Sequence, residues 1–318
     1  MTEQVKVLKE GVNVVTVVGT LVEKNLEETS YTNNETGKLV EQIKGSISVR
    51  TGEHEVHQVR LRSNKFTNAG KENSLYKGYQ TINNEFVSVA DVANNPELTP
   101  TQVRVNGKLT TNEYYGQDDI LKQYQQIEGK FVNRLTDKDD PTPRATFEAE
   151  IFVSKTKPEM DREGEETGRA LVESYIPTFN AIVPYNFTVI AEGSDFFTND
   201  IQKGQTIKVF GHIVNKRIET VKYIEAAFGD PIEEKSVSYT TESLISNAAQ
   251  PYEEESTKAF DSTLVNERLV KREVYLENQK NRGQQQAQPS NAGMNAFGGG
   301  ATPPVKKPDI PVNVSNLF

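Results

Sequence analysis

The sequence contains no cysteine and no tryptophan, and only three of its 318 residues are histidine. Without cysteine there are no disulfides and no thiolate metal sites, which leaves the redox compartment open. With so few histidines as well, nucleophile–base constellations are scarce. The missing tryptophan removes the strongest stacking residue from any surface that might hold bases. Nothing near Met1 resembles a signal peptide and no apolar run approaches the ~20 residues of a membrane span, so a soluble, cytoplasmic protein is expected. The formal net charge of -9 excludes a uniformly basic coat. A local basic groove on an acidic body stays open, because binding depends on where charge sits.

What is present begins with a pattern that occurs three times. Val15-Thr16-Val17-Val18-Gly19-Thr20-Leu21, Val103-Arg104-Val105-Asn106-Gly107-Lys108-Leu109 and Ile207-Lys208-Val209-Phe210-Gly211-His212-Ile213 each read apolar, x, Val, x, Gly, x, apolar. Strand side chains alternate between faces, so this spacing puts the aliphatic residues on one face with the glycine among them. A glycine there suits a strand that bends hard, as strands do when a small sheet closes into a barrel. Each copy opens a longer β-like run, and the copies are separated by domain-scale distances.

Around these runs the first 136 residues read as strand, hairpin, insertion, strand, strand. The spacing predicts strands over 12–23, 44–51 and 56–64, with a tight turn at Gly52-Glu53. Residues 26–38 read as a polar loop, and 65–95 as an irregular insertion with at most a short helix. The second Gly-bearing run leads through Asn112-Glu113-Tyr114-Tyr115-Gly116 to a last strand near 129–135. That order looks like an OB-fold, with the Gly-bearing runs as its first and fourth strands. The proline-bearing stretch 137–144 is then a linker. A second OB-like unit follows over 145–232, with the third Gly-bearing run in its fourth-strand place, residues 223–228 as its closing strand, and Ile151 where its first strand would carry glycine. Residues 233–282 are expected to be an acidic segment and a helix from Asp261 to Arg282. Residues 283–318, rich in Gln, Gly, Asn and Pro, are expected to be a disordered tail. The fold class is therefore mainly β: two tandem OB-like five-stranded barrels, a C-terminal helix and a disordered tail with an apolar tip.

Tandem OB-like units, a Gln/Gly/Pro-rich tether and a terminus bearing Asp309-Ile310-Pro311 and a final Leu317-Phe318 resemble single-stranded DNA-binding proteins of the bacterial and bacteriophage type. The resemblance implies an OB domain that coats single strands during DNA replication, recombination and repair. It also implies a terminal tip that recruits partner proteins, here Asp309, Ile310, Pro311, Leu317 and Phe318. Six residues separate Pro311 from Phe318, where the family's tip runs Asp-Ile-Pro-Phe. Two OB units in one chain look more like a phage protein or a eukaryotic-type multi-OB protein than the single-domain bacterial form.

Motifs for catalysis are missing. His54-Glu55-Val56-His57 lacks the spacing of the helical His-Glu-x-x-His zinc motif, and on a strand its two histidines face opposite ways. Gly164 to Arg169 lacks the Gly-Lys-Ser/Thr end of a phosphate-binding loop. Asp137, Asp139 and Asp140 fit a solvated linker better than a cation site. The expectation is a binder with no cofactor and no metal, and not an enzyme.

Sequence-tolerant single-strand binding needs cations along the backbone and flat rings for bases to stack on. In the first unit Arg50, Arg60, Arg62 and Lys65 fall on or beside the second and third strands, and Tyr31, Tyr114 and Tyr115 fall in the two loops that flank an OB groove. In the second unit Tyr175 and Phe179 share a face opposite Val172 and Ile176, and Lys155, Lys157, Lys216, Arg217, Lys222 and Tyr223 would ring the same groove. Packing of Tyr175 and Phe179 against the helix or the other barrel is the competing reading. A non-catalytic protein-interaction scaffold or virion assembly component remains the alternative function. RNA also stays open, because a 2′-hydroxyl contact is not a sequence feature.

Overall fold

The computed structural model describes residues 7–33, 36–116, 118–224, 228 and 232–287. Its first five strands are β1 (Asn13–Thr32), β2 (Leu39–Gly52), β3 (Glu55–Asn64), β4 (Gln102–Tyr115) and β5 (Leu121–Arg134). β1 pairs antiparallel with both β2 and β4, β2 with β3, and β4 with β5. β3 then closes on β5 in parallel at Val59 and Ile127, which completes a five-stranded barrel of OB order. The second barrel repeats the plan with β6 (Arg144–Met160), β7 (Glu166–Pro177), β8 (Ile182–Val189), β9 (Thr206–Ile224) and β10 (Ile232–Ala248), closed in parallel between Leu244 and Thr188. The chain is mainly β, as its alternation requires. On β3, for example, His57, Val59, Leu61 and Ser63 are buried while Gln58, Arg60 and Arg62 face out.

The three glycines mark where the barrels bend. A Cβ on Gly19 would lie 2.1 Å from the Arg50 carbonyl oxygen, one on Gly107 2.3 Å from that of Glu128, and one on Gly211 1.9 Å from that of Leu244. Neighbouring backbone thus occupies the space a side chain would need. The ladders slip register beside Gly107 and, on β10, beside the partner of Gly211, so the glycines sit at β-bulges. Ile151 needs no such space. It is buried and paired with Ile207, and the irregularity between β6 and β7 falls later, between Val153 and Lys155.

Several boundaries differ from the sequence expectations. The polar loop expected over 26–38 starts later: β1 continues to Thr32, which pairs with Leu39 of β2, and Leu26 and Ile43 are buried. The insertion holds two helices, α1 (Ser74–Glu85) and α2 (Val89–Asn94). α1 seats Tyr76, Tyr79 and Ile82 over one end of the barrel, where the Tyr79 hydroxyl donates to the Gly129 and Lys130 carbonyls at 3.2 and 3.1 Å. Ser88 and Asp91 form a capping box that starts α2. In the second barrel this place is taken by α3 (Ala191–Asp195) and a π-turn over Phe196–Asp200.

The strand closing the second barrel is β10, so a boundary at 232 falls at its start and the barrel extends to Ala248. Among the described side chains of β10, those that reach the core are Ser243 and Ile245, at its end. The rest pairs with β9 as a hairpin arm, and its described side chains are mostly exposed, so no buried face marks the strand period. The last helix, α4, runs Ser262–Ala287, with the Asp261 carboxylate accepting the Thr263 and Leu264 N–H groups. Residues 283–287 therefore continue the helix. The remainder of the tail, with Asp309, Ile310, Pro311, Leu317 and Phe318, lies outside the described residues.

The barrels share one sheet. β1 and β6 pair antiparallel from Asn13–Ala149 to Val18–Arg144, burying Val15, Val17, Ala145, Phe147 and Ala149 along the seam. The connecting segment is held down: Asp139 accepts the Thr136 N–H and pairs with Arg104 at 2.5 Å, and Asp140 pairs with Arg144 at 2.7 Å. Each fourth strand also crosses to the other barrel. Thr111 of β4 donates to the Pro184 carbonyl of β8 at 2.5 Å, and Asn215 of β9 donates to the Val56 carbonyl of β3 at 2.6 Å. Thr111 and Asn215 stand equally far beyond Gly107 and Gly211, so the two bonds are the same bond under an approximate two-fold.

Candidate nucleic-acid interface

Where the β9–β10 arm lies against β3, a groove of about 300 Å³ opens between the barrels. Its floor is the outer face of β1, β2 and β3, with Glu23, Asn25, Ser48, Arg50 and Gln58. Its other wall is Asn215, Lys216, Arg217 and Tyr239. The arm is fixed there by backbone. Lys216 pairs with Glu55, and the Arg217 N–H donates to the His54 carbonyl at 3.0 Å. Three cations and one acid line the groove, together with an aromatic ring, that of Tyr239, which is 63% exposed.

The basic face continues along β3. Gln58, Arg60 and Arg62 follow one another on its outward side, opposite Ser48, Ser46 and Lys44 of β2. The Arg62 guanidinium lies over the Tyr31 ring at 5.6 Å and donates to Gln42 at 2.9 Å. Lys44 and Lys65 are held by Glu27 and Glu41. Arg50, Arg60, Arg62 and Lys216 have no ion-pair partner among the described residues, so their charge is available to a ligand. Beneath this face His57 is buried, its Nε2 2.9 Å from the Thr51 hydroxyl. Burial pushes its pKa below the usual 6.5, against the smaller opposing pull of Glu55.

The expected residues divide into groups. Arg50, Lys216 and Arg217 meet in the groove, although they come from different barrels. Arg60, Arg62, Lys65 and Tyr31 lie along its extension on β3 and β1. Tyr31, Tyr114 and Tyr115 stand on strands and not in loops, because β1 and β4 run on into hairpin arms. Tyr114 stacks on Tyr124 at 5.8 Å, while Tyr115 lies under Lys280 of α4. Lys155 and Lys157 are on the β6–β7 hairpin, Lys157 paired with Glu173 at 3.5 Å, so they do not ring the groove that holds Lys216. Tyr175 packs with Leu264 and Leu269 against the cluster formed by Leu8, Phe152, Ile182, Phe260 and Val265, which corrects its assignment to an open stacking face. Phe179 lies beyond the end of β7 in a turn, 73% exposed, and shares no face with Tyr175. Lys222 and Tyr223 belong to β9, but their side chains lie outside the described residues.

Tyr239 and Tyr124 were not among the expected residues. Tyr239 pairs with Arg217 across the arm, and recognising β10 as the strand that the third Gly-bearing run needs beside it would have found the ring. Among the described residues no cluster of three or more His, Asp or Glu could hold a metal, and no helix is long and apolar enough to cross a membrane.

Comparison with curated proteins finds no match. Among solved structures the chain is similar to the wild-type single-stranded DNA binding protein from Thermus aquaticus, at 12% identity and a TM-score of 0.44, over 78% of this chain and 97% of that one. A deletion mutant of the same Thermus aquaticus protein matches at 14% identity and a TM-score of 0.40, over 78% and 98%. The model of the YorF family matches residues 11–282, from the first strand of the first barrel to the last helix, and the chain belongs to the YorF family.

Proposed function

We propose that the chain binds single-stranded DNA without sequence preference, as a binding protein and not an enzyme. The observation that supports this is the groove between the barrels. Arg50 and Lys216 offer charge to a phosphate backbone beside the open ring of Tyr239, with Arg217 in the same wall, and Arg60, Arg62 and Tyr31 prolong the path. A duplex hides the base faces that Tyr239 and Tyr31 would stack on, so single strands are preferred. The test is the anisotropy of labelled oligo-dT and of a duplex at two salt concentrations. Tight binding of the single strand that weakens with salt, with weak duplex binding, is expected. No single-strand binding at low salt overturns the reading.

The terminal tip, Asp309 to Phe318, is proposed to recruit replication, recombination or repair proteins, on the strength of its resemblance and of an apolar end carried on a polar tether. Deleting it should leave single-strand affinity unchanged and abolish co-purification of such partners. A rise in affinity would instead make the tip a competitor for the groove.

A second reading, a protein scaffold, is favoured by one observation: α4 packs on the second barrel beside Tyr175, so a barrel face of this molecule accepts a helix. It becomes the better account if single strands do not bind and an acidic helical peptide does.

A further inference from the structure

We infer that the molecule has two equivalent grooves and that α4 is built permanently into one of them, leaving a single open groove per chain. The inference rests on the reading above for its ligand but not for its geometry. Thr20 and Phe152 stand equally far beyond Val15 and Phe147, and they pair with Arg50 and Tyr175 respectively. Arg50 and Tyr175 in turn pair with Val56 and Pro184, whose carbonyls receive the crossing bonds from Asn215 and Thr111. Arg217 and Glu113 follow those donors by the same interval. The position of Arg50 in the open groove is therefore that of Tyr175 in its counterpart, and the position of Arg217 is that of Glu113.

The two grooves have opposite chemistry. In the counterpart, Glu113 accepts a bidentate bond from Arg272 of α4, and the Tyr175 ring packs, as Leu264 and Leu269 do, on the cluster that holds Val265 of α4. Arg268 adds a bond to the Asn180 carbonyl at 2.7 Å. An acid and a ring thus meet a helix that brings an arginine and leucines. In the open groove the same two positions are arginines, which would repel Arg272 and put a charge where the counterpart has the Tyr175 ring. The substitutions that admit α4 on one side exclude it on the other and suit a polyanion.

The expected consequence is one short single strand per chain, although the chain has two barrels. Titrating the full-length protein with an oligo-dT of about 8 nucleotides, within the usual site size of one OB fold, should saturate at one per chain by native mass spectrometry. Arg50→Glu with Lys216→Glu should weaken it about tenfold or more, and Lys155→Glu with Lys157→Glu by less than about twofold. Hydrogen exchange tests the geometry without DNA: amides of α4 near Leu269 should be as protected as those of β8, with or without the oligonucleotide. Two strands per chain, an equal loss from the lysine pair, or deprotection of α4 on binding overturns the inference. Protection of α4 with no strand bound would overturn the DNA reading while upholding the single open groove.

Discussion

Val15 of β1 and Phe147 of β6 face each other across the seam between the barrels, and each also faces the glycine of its own barrel's fourth strand, Gly107 or Gly211. The approximate two-fold passes between them. A single strand pair thereby joins the barrels, bends both fourth strands and sets the registers that place Arg50 and Arg217 in one groove.

Substituting a bend glycine should be costly. Gly211→Ala places its methyl against the Leu244 carbonyl and 2.8 Å from the Phe147 ring, where backbone cannot yield. A loss of about 1–3 kcal/mol or more is expected by denaturant titration. Gly78→Ala, in α1 with nothing within 4 Å of the new methyl, should instead stabilise by up to about 1 kcal/mol. Equal effects would show that the close approach at Gly211 is not real.

Charge and rings should separate in the salt dependence. Arg60→Ala with Arg62→Ala should weaken single-strand binding and flatten the salt slope by about 0.7 for each phosphate left without its cation. Tyr239→Ala should cost about 1–3 kcal/mol of affinity with little change in slope, because stacking releases few counterions. A Tyr239 variant that binds normally removes the arm from the path.

Tyr175 and Phe179 should behave differently from each other. Tyr175→Ala removes a ring that packs on the cluster of Phe152, Ile182, Phe260 and Val265 and should destabilise the fold by about 1–3 kcal/mol. Phe179→Ala, on an exposed turn, should stay within about 0.5 kcal/mol. Neither should change affinity once the protein is folded. A selective loss of binding in a stable Tyr175 variant would return that ring to the DNA path.

Stability should fall with pH before the carboxylates titrate. His57 has a folded-state pKa below 6.5, so its contribution is complete above that value. As pH falls through 6.5 the unfolded chain takes up a proton that the folded chain resists, and stability drops. The carboxylates of Glu28, Asp91 and Glu159 are also held below their ordinary values by hydrogen bonds, to Gln80, Ser88 and Arg169 first, and they add their losses at lower pH. The Tm should decline from about pH 7.5 to 5.5, and His57→Gln should flatten that decline. An unchanged slope in the variant would mean that His57 is already solvated when charged.

The barrel plan was legible because its signals are local. The three glycines stand where backbone passes, and Gln58, Arg60 and Arg62 alternate with a buried face over a short span. What was hidden depends on distant partners. β10 is inconspicuous because it pairs along its length with β9 and few of its described side chains are buried, so no apolar period marks it. Lys216 and Arg217 read as part of their own barrel because nothing in sequence tells that the arm crosses to His54 and Val56, far away in the chain. Tyr175 has the spacing of an outward residue and is one. The helix that covers it is a tertiary fact, written in Leu264, Leu269 and Arg272.

The β1–β6 ladder, with Asp139 and Asp140 pinning the connection, also sets how the protein would measure a strand. Barrels on a slack tether can swing apart or together, so the length of nucleic acid they cover varies with conditions. Here the distance from Tyr31 to Tyr239 is set by a continuous sheet. On the proposed reading the molecule would be a rigid gauge, and the length of strand it occludes should stay constant across salt concentrations even as its affinity changes.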